Sequence, residues 1–312
     1  MTGGGGRLFD THIVVDWSAR SSPSPRRPAK DSIWWAAKRD GDALEPEYAR
    51  TRHDAIERLA DFIACELDAG RRVLTGFDFP FGYPRGVARR LTGSDCALAL
   101  WDWIDRRVKD GPDNRNNRYE VATEINERYP GVGPFWGRPE RWDFPRIPIK
   151  GNDRTCPDSR PPERRIADRR ATSAKTVWQL AYTGSVGSQV ILGLPALKRL
   201  SSDPRIERHA AIWPFRTGLR APDTVATPLV LAEIYPSLLK AEIARLRKEE
   251  IPDRAQVRVN AAAFAELDRR GGLAPLFEGA RDLDREERDT IEREEAWILG
   301  LGHETALREA CP

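Results

Sequence analysis

An α/β fold, with a mixed sheet flanked by helices and a large irregular and helical insertion in the middle, is what this sequence predicts. Three observations carry that expectation. Two runs, 11–18 and 72–80, are continuously apolar and rich in β-branched residues, and each delivers one aspartate at its end, Asp16 and Asp78. Continuous apolarity, rather than alternation, marks strands covered on both faces. Apolar residues at Ile56, Leu59, Ala60, Ile63, Ala64 and Leu67 fall at helical spacing between them.

The elements follow in order. After the first strand, 18–28 is a Pro/Ser/Arg loop, 31–38 reads as a second strand and 47–51 as a short third. Consecutive strands joined by a loop predict an antiparallel pair. The helix over 53–69 stops at Gly70, a residue suited to the left-handed C′ position. The strands around Val15 and Leu74 are expected to be adjacent and parallel, which brings Asp16 and Asp78 to one edge. From 80 to 225 the composition turns to Gly, Pro, Trp and Arg. Helices are expected at 96–110, 118–127 and 174–181, with turn-rich stretches at 129–137 and 141–162. Segment 228–235 is again an apolar strand, with Glu233 near its end and Pro236 to break it. Ser237 is placed to cap a helix through Arg247, and Asp253 opens another helix over 253–265. The organisation expected is a flexible segment 1–11 and a single domain 12–312, with the insertion at about 82–226.

Composition excludes several classes. The 312 residues are 32% charged yet carry a net charge of only +3, so global charge does not declare a nucleic-acid binder. The arginine-rich runs 20–30 and 160–170 read as solvated loops. Cys65, Cys96, Cys156 and Cys311 form no CxxC pair, and His12, His53, His209 and His303 are scattered, which argues against a zinc site or a disulfide-linked partner. No run approaches the ~20 apolar residues needed to span a membrane. The glycine-rich start lacks the apolar core of a secretory signal. A cytoplasmic, reduced protein with no membrane contact is expected.

Four acids stand where a catalytic centre would use them: Asp16, Asp78, Glu233 and Asp253. Two carboxylates ~4 Å apart repel by about 4 kcal/mol at an effective dielectric of 20. Such a cluster must raise a pKa or take up a cation, and Mg²⁺ needs only one or two carboxylates together with waters. Each acid also has a plainer reading. Asp16 and Asp78 could make Asx turns at strand ends, and Asp253 could be a helix cap. Glu233, inside an apolar strand, must be paired or ligated.

The order of strand with Asp, hairpin, helix, strand with Asp, and a late acid heading an Ala-rich helix resembles the ribonuclease H-like fold. The segment Pro-Asp253-Arg-Ala255-Gln resembles the Asp-Ala motif of that superfamily's resolvase branch. More closely, Val-Asp16-Trp-Ser, Gly-Phe-Asp78-Phe-Pro-Phe-Gly and Glu233-Ile-Tyr-Pro-Ser resemble the predicted-nuclease family called domain of unknown function 429, over about residues 10–90 and 228–270. The resemblance implies a ribonuclease H-like mixed sheet, and Mg²⁺ or Mn²⁺ held by Asp16, Asp78 and Asp253. Glu233 would be a fourth ligand or an orienting acid. Arg254 departs from the pattern, and pairing with Asp253 would weaken the metal site.

Other polar clusters suggest substrate contacts. Asn114 to Tyr119 packs three amides and two guanidiniums into six residues, able to read bases or phosphates. The hydroxyl-rich loop 183–189 could cradle a phosphate on its backbone, although it lacks a P-loop lysine. Asn117, Arg118, Ser185, Ser188 and Gln189 are therefore the expected substrate-binding residues. Of the ten tryptophans, Trp101, Trp103, Trp136, Trp142 and Trp178 fall in the middle region, where core packing and base stacking are both open to them. The expected activity is that of a metal-dependent nuclease or phosphate-ester hydrolase acting on nucleic acid or a phosphate-containing small molecule. The alternatives are a nucleotide-binding phosphotransferase of the actin-like or sugar-kinase type, and a non-catalytic binding protein on the same fold.

Overall fold

A computed structural model describes residues 6–39, 41–42, 44–155, 160–247 and 249–312. The expectations for 1–5 and for Cys156 lie outside those residues. The elements are β1 (Thr11–Asp16), β2 (Ile33–Arg39), β3 (Glu47–Ala49), α1 (Arg52–Asp68), β4 (Val73–Phe77), α2 (Val87–Thr92), α3 (Ala97–Asp105), α4 (Arg118–Asn126), α5 (Ile166–Arg170), α6 (Gly187–Ser201), β5 (Ala210–Ile212), β6 (Leu229–Glu233), α7 (Lys240–Leu246), α8 (Pro252–Arg269), α9 (Arg285–Thr290) and α10 (Glu304–Glu309). The strands form one six-strand mixed sheet in the order β3-β2-β1-β4-β6-β5. β2 is antiparallel to β1 and to β3, while β1, β4, β6 and β5 run parallel.

Side-chain alternation along the strands divides the core. Ile13, Val15, Phe77, Leu229 and Leu231 pack toward α1, α3 and α6. Val14, Leu74, Val230 and Ala232 pack on the other face, toward α8. Both faces of the central strands are covered, which is why their sequences are continuously apolar. Helix α1 lays Ala55, Ile56, Leu59, Ala60 and Ile63 on the sheet, and the Thr51 hydroxyl caps it by accepting from the Asp54 N–H at 3.2 Å. Two buried acids anchor the lower ends of the strands. Glu66 accepts from Thr11, Arg39 and Arg71. Asp268 accepts from the N–H groups of Leu8 and Phe9, each at 2.8 Å, and contacts His12 Nε2 at 2.9 Å. Residues 7–11, expected to be flexible, are thereby held, and Thr11 opens β1.

The middle region is not an irregular appendage. Phe81, Trp101, Trp178, Val190 and Leu197 belong to the same apolar cluster as Val15, Phe77 and Leu59. Trp101, Trp103 and Trp178 are core residues, while Trp136 and Trp142 are only partly buried against it. The expected helix at 174–181 is irregular, with a turn at 177–178 and an isolated bridge from Gln179 to Trp136, and the expected loop 183–189 runs into α6. β5, which sequence analysis did not anticipate, adds an edge strand. At 237–247 a 3₁₀ turn over Pro236–Leu239 precedes α7, and Ser237 caps neither.

Candidate active site

Register decides which acids meet. β1 and β4 pair with Val15 opposite Phe77, so the next residue on the first strand, Asp16, stands level with Asp78, the residue just beyond β4. Both share the even-numbered parity of Val14 and Leu74, on the α8 side. The Trp17 N–H donates to Asp78 Oδ1 at 2.7 Å, and the Asp78 N–H donates to Val15 O at 3.2 Å. The parallel pairing expected for these strands is present, and the two carboxyl groups are close enough to share a proton.

α8 completes this edge. Asp253 lies in its first turn, after Pro252 at the helix start, and makes no cap for its own helix. Its Oδ2 instead accepts from the Asp31 N–H at 2.6 Å across the β1–β2 loop. Asp31 holds a left-handed backbone with φ 56, and its carbonyl accepts from the Ser18 hydroxyl at 3.0 Å. One turn along α8, Gln256 Nε2 donates to Asp16 Oδ2 at 2.9 Å. Asp31 and Gln256 were missed from sequence. Gln256 had a signal, because position i+3 from Asp253 lies on the same helix face. Arg254 does not pair with Asp253; it binds Glu250 and Glu45.

Asp16, Asp31 and Asp253 form one wall of a cleft of about 340 Å³. Asp78 supports Asp16 without lining the cleft. Arg118, Ser185, Ser188 and Gln189 line the same cleft. Gly187 makes this lining possible, since a Cβ there would lie 2.5 Å from Val177 O; its absence lets the start of α6 press against 177–179. Ser188 Oγ donates to Leu180 O at 2.6 Å and accepts from Arg118 Nε at 2.9 Å, and Gln189 Nε2 donates to Trp17 O at 2.6 Å. The expected backbone cradle at 183–189 is partly spent, because the N–H groups of Ser185 and Gly187 donate to Tyr182 O and Gln179 O.

Asn117 and Glu233 are not brought to the cleft. Asn117 is a turn brace, accepting from the Lys109 N–H at 2.7 Å and donating to Arg107 O at 2.9 Å. Asn114, in the same cluster, is buried and ties Ser22 and Arg50 together. Glu233 pairs in register with Phe77, so it shares the face of Phe77 and points away from Asp16 and Asp78. There, fully buried, it takes a two-pronged ion pair from Arg165 at 2.6 and 2.7 Å and the Phe81 N–H at 2.9 Å. Arg165 also binds Asp168, at 2.8 and 3.0 Å. The 160–170 run therefore contains, at Arg165, a core cation rather than a solvated one.

The electrostatics of the cleft are uneven. Burial, reinforced by the neighbouring charges of Asp78 and Asp253, pushes the Asp16 pKa well above the carboxylate range. Burial pushes Asp78 up to about 7. Asp253 is also raised by burial, with the N–H groups of Asp31 and Ser32 pulling it back. Within the same cleft, the Arg118 guanidinium donates to the neutral Ser188, Ser21 and Asn116 side chains and lies 4.9 Å from the centroid of the Tyr119 ring. No carboxylate pairs with it among the described residues, and burial lowers its pKa. The first turn of α6, in the same cleft, adds a dipole that favours anions. The site thus holds acids that lack a cation and a cation that lacks an anion.

Among the described residues no group of three His, Cys, Asp or Glu side chains converges tightly enough to cage a metal ion. Asp16 and Asp78 are the carboxylates that could hold a hard divalent cation, which needs only one or two carboxylates together with water. Compared with family models, with curated proteins and with solved structures, the chain matches none. No helix among the described residues is long and apolar enough to cross a membrane. Cys65, Cys96 and Cys311 are free thiols.

Proposed function

We propose that this chain is a nuclease-like hydrolase of phosphate esters that depends on Mg²⁺ or Mn²⁺. The observation that carries the reading is the Asp16–Asp78 pair, held at the edge of two parallel strands with raised pKa values, with Asp16 lining the same cleft as the Arg118 guanidinium, which pairs with no carboxylate among the described residues. Asp16 and Asp78 would hold the cation. Asp253, whose carboxylate is already engaged by the Asp31 N–H, would act from its rim. Bound there, the cation would supply charge neutralisation and an acidified water. Arg118 and the first turn of α6 would bind the phosphate, and Gln256 would orient Asp16.

The element order supports a ribonuclease H-like reading. A strand ending in Asp is followed by an antiparallel pair, a helix, a parallel strand leading into Asp, and a late helix with an acid in its first turn. The three motifs around Asp16, Asp78 and Glu233 support membership of the predicted-nuclease family named above. The ion pair of Glu233 with Arg165 supports a structural rather than a ligating role for that acid. Among the described residues the strands form one six-strand sheet, without a second, duplicated half of the kind a sugar-kinase architecture would need.

The test is hydrolysis of bis(p-nitrophenyl) phosphate together with thermal shift, with Mn²⁺, with Mg²⁺ and with EDTA. The reading requires cation-dependent turnover and a cation-dependent rise in Tm. A protein indifferent to both cations in both measurements would refute it.

A further inference from the structure

A second cavity, of about 460 Å³, shares the segment 179–182 with the carboxylate cleft. Leu180 and Ala181 line the cleft, whereas Gln179 and Tyr182 line the second cavity. Its other walls include Trp136, Lys150, Gly151 and Arg154.

Three features set this cavity apart from ordinary surface. Tyr182 is 56% exposed and holds φ 76, a left-handed backbone that a bulky residue rarely adopts. Its hydroxyl donates to Arg138 O at 3.2 Å, which fixes the ring outside the core. Strain and exposure together at one anchored aromatic point to function rather than packing. Trp136 is packed by a bare backbone, because a Cβ at Gly151 would lie 3.1 Å from its Cε2 atom. Its indole N–H is buried without a partner among the described residues. Lys150 stands exposed at the rim, and no carboxylate pairs with it among the described residues, whereas Arg154 is already paired with Glu163 at 2.8 Å.

Aromatic walls accept a planar ring whatever its edge pattern, and a lysine at the rim suits a phosphate beside that ring. A base within a duplex is stacked on its neighbours and cannot enter. We propose that the second cavity is a nucleobase-stacking subsite, and that the substrate is a single-stranded nucleic acid whose unpaired base lies against Tyr182 and Trp136 while its backbone crosses to Arg118 and the Asp16–Asp78 pair. The second half of this statement rests on the hydrolase reading above; the stacking subsite itself does not.

The experiment is fluorescence anisotropy with a fluorescein-labelled oligothymidylate in EDTA, beside an abasic strand of the same length and the oligothymidylate annealed to its complement. The single strand binds more tightly than either control. Tyr182→Gly weakens its binding by about 5- to 150-fold, the range for loss of one stacked base. The same change leaves the abasic strand's affinity unaltered and leaves Tm equal or higher, since glycine adopts φ 76 without strain. Lys150→Ala weakens the abasic and base-bearing strands alike and flattens the salt dependence. Equal affinity for the abasic strand, or a Tyr182→Gly variant that binds as wild type does, overturns the subsite. Equal affinity for the duplex overturns the single-strand assignment. Bis(p-nitrophenyl) phosphate is too small to need the second cavity, so failure to hydrolyse it counts against the hydrolase reading alone.

Discussion

Asp16 and Glu233 sit near the ends of parallel strands in one sheet, and burial raises the pKa of both. Their surroundings differ in one respect. Glu233 meets a guanidinium that fills both its oxygens, and Asp168 and the Glu295 carbonyl accept the other N–H groups of Arg165. Asp16 meets another acid, an amide from Gln256 and a cleft. A buried acid with its own cation is a closed unit that ties Phe81 and α5 to the end of β6. A half-buried acid pair without one is open, and its charge is balanced only by a proton or by something bound. The comparison separates an acid used for architecture from acids available for chemistry.

The largest expected effect tests the open side. Asp16→Asn keeps the shape and removes one charge, so cation-dependent hydrolysis should fall by several orders of magnitude. Tm without added cation should stay equal or rise, because repulsion with Asp78 and Asp253 is relieved. Steady-state kinetics and a melt on the same sample check both, and full retained activity would end the assignment. On the closed side the pattern should invert. Arg165→Met leaves Glu233 and Asp168 buried without a cation, which should lower unfolding free energy by about 3–5 kcal/mol in a denaturant titration. A loss below about 1 kcal/mol would show that the closed unit is not structural.

The pH dependence sharpens the contrast further. Asp78 binds its proton more tightly folded, at about 7, than unfolded, at the ordinary 3.8. Its contribution to stability is therefore complete below about pH 4 and lost as pH rises through about 7. Without divalent cation, Asp78→Asn should gain in Tm relative to wild type across that interval, and saturating Mn²⁺ should shrink the gain by favouring the charged pair. A difference that is flat with pH would mean that the pair does not hold a proton. The smallest effect falls on a supporting residue. Gln256→Ala should weaken the apparent affinity for Mn²⁺ by about 10- to 100-fold, read by titration of activity, with little change in Tm.

How far the sequence announced this depends on the kind of information each feature needs. β1, β4 and α1 were legible because their apolar patterns are local, and the meeting of Asp16 with Asp78 followed once the strands were parallel. Glu233 was misplaced because its face is set by the register of Phe77 against Glu233, a pairing no single segment encodes. Its need for a partner was legible, but Arg165 was hidden in a run that resembles a solvated loop. α6 was missed because it contains Gly193 and Pro195, two residues that disfavour a helix interior. Asn117 carried the right chemistry for a base or phosphate, yet a local turn claims both ends of its amide.

The central claim is that Asp16 and Asp78 together form a cation site. Anomalous diffraction from crystals soaked in Mn²⁺ tests it directly. A peak should lie within about 2–2.5 Å of a carboxylate oxygen of each residue, at ordinary oxygen–cation distances, and it should vanish in Asp16→Asn crystals. Manganese bound elsewhere, with none between these two carboxylates at a pH above 7, would contradict the claim.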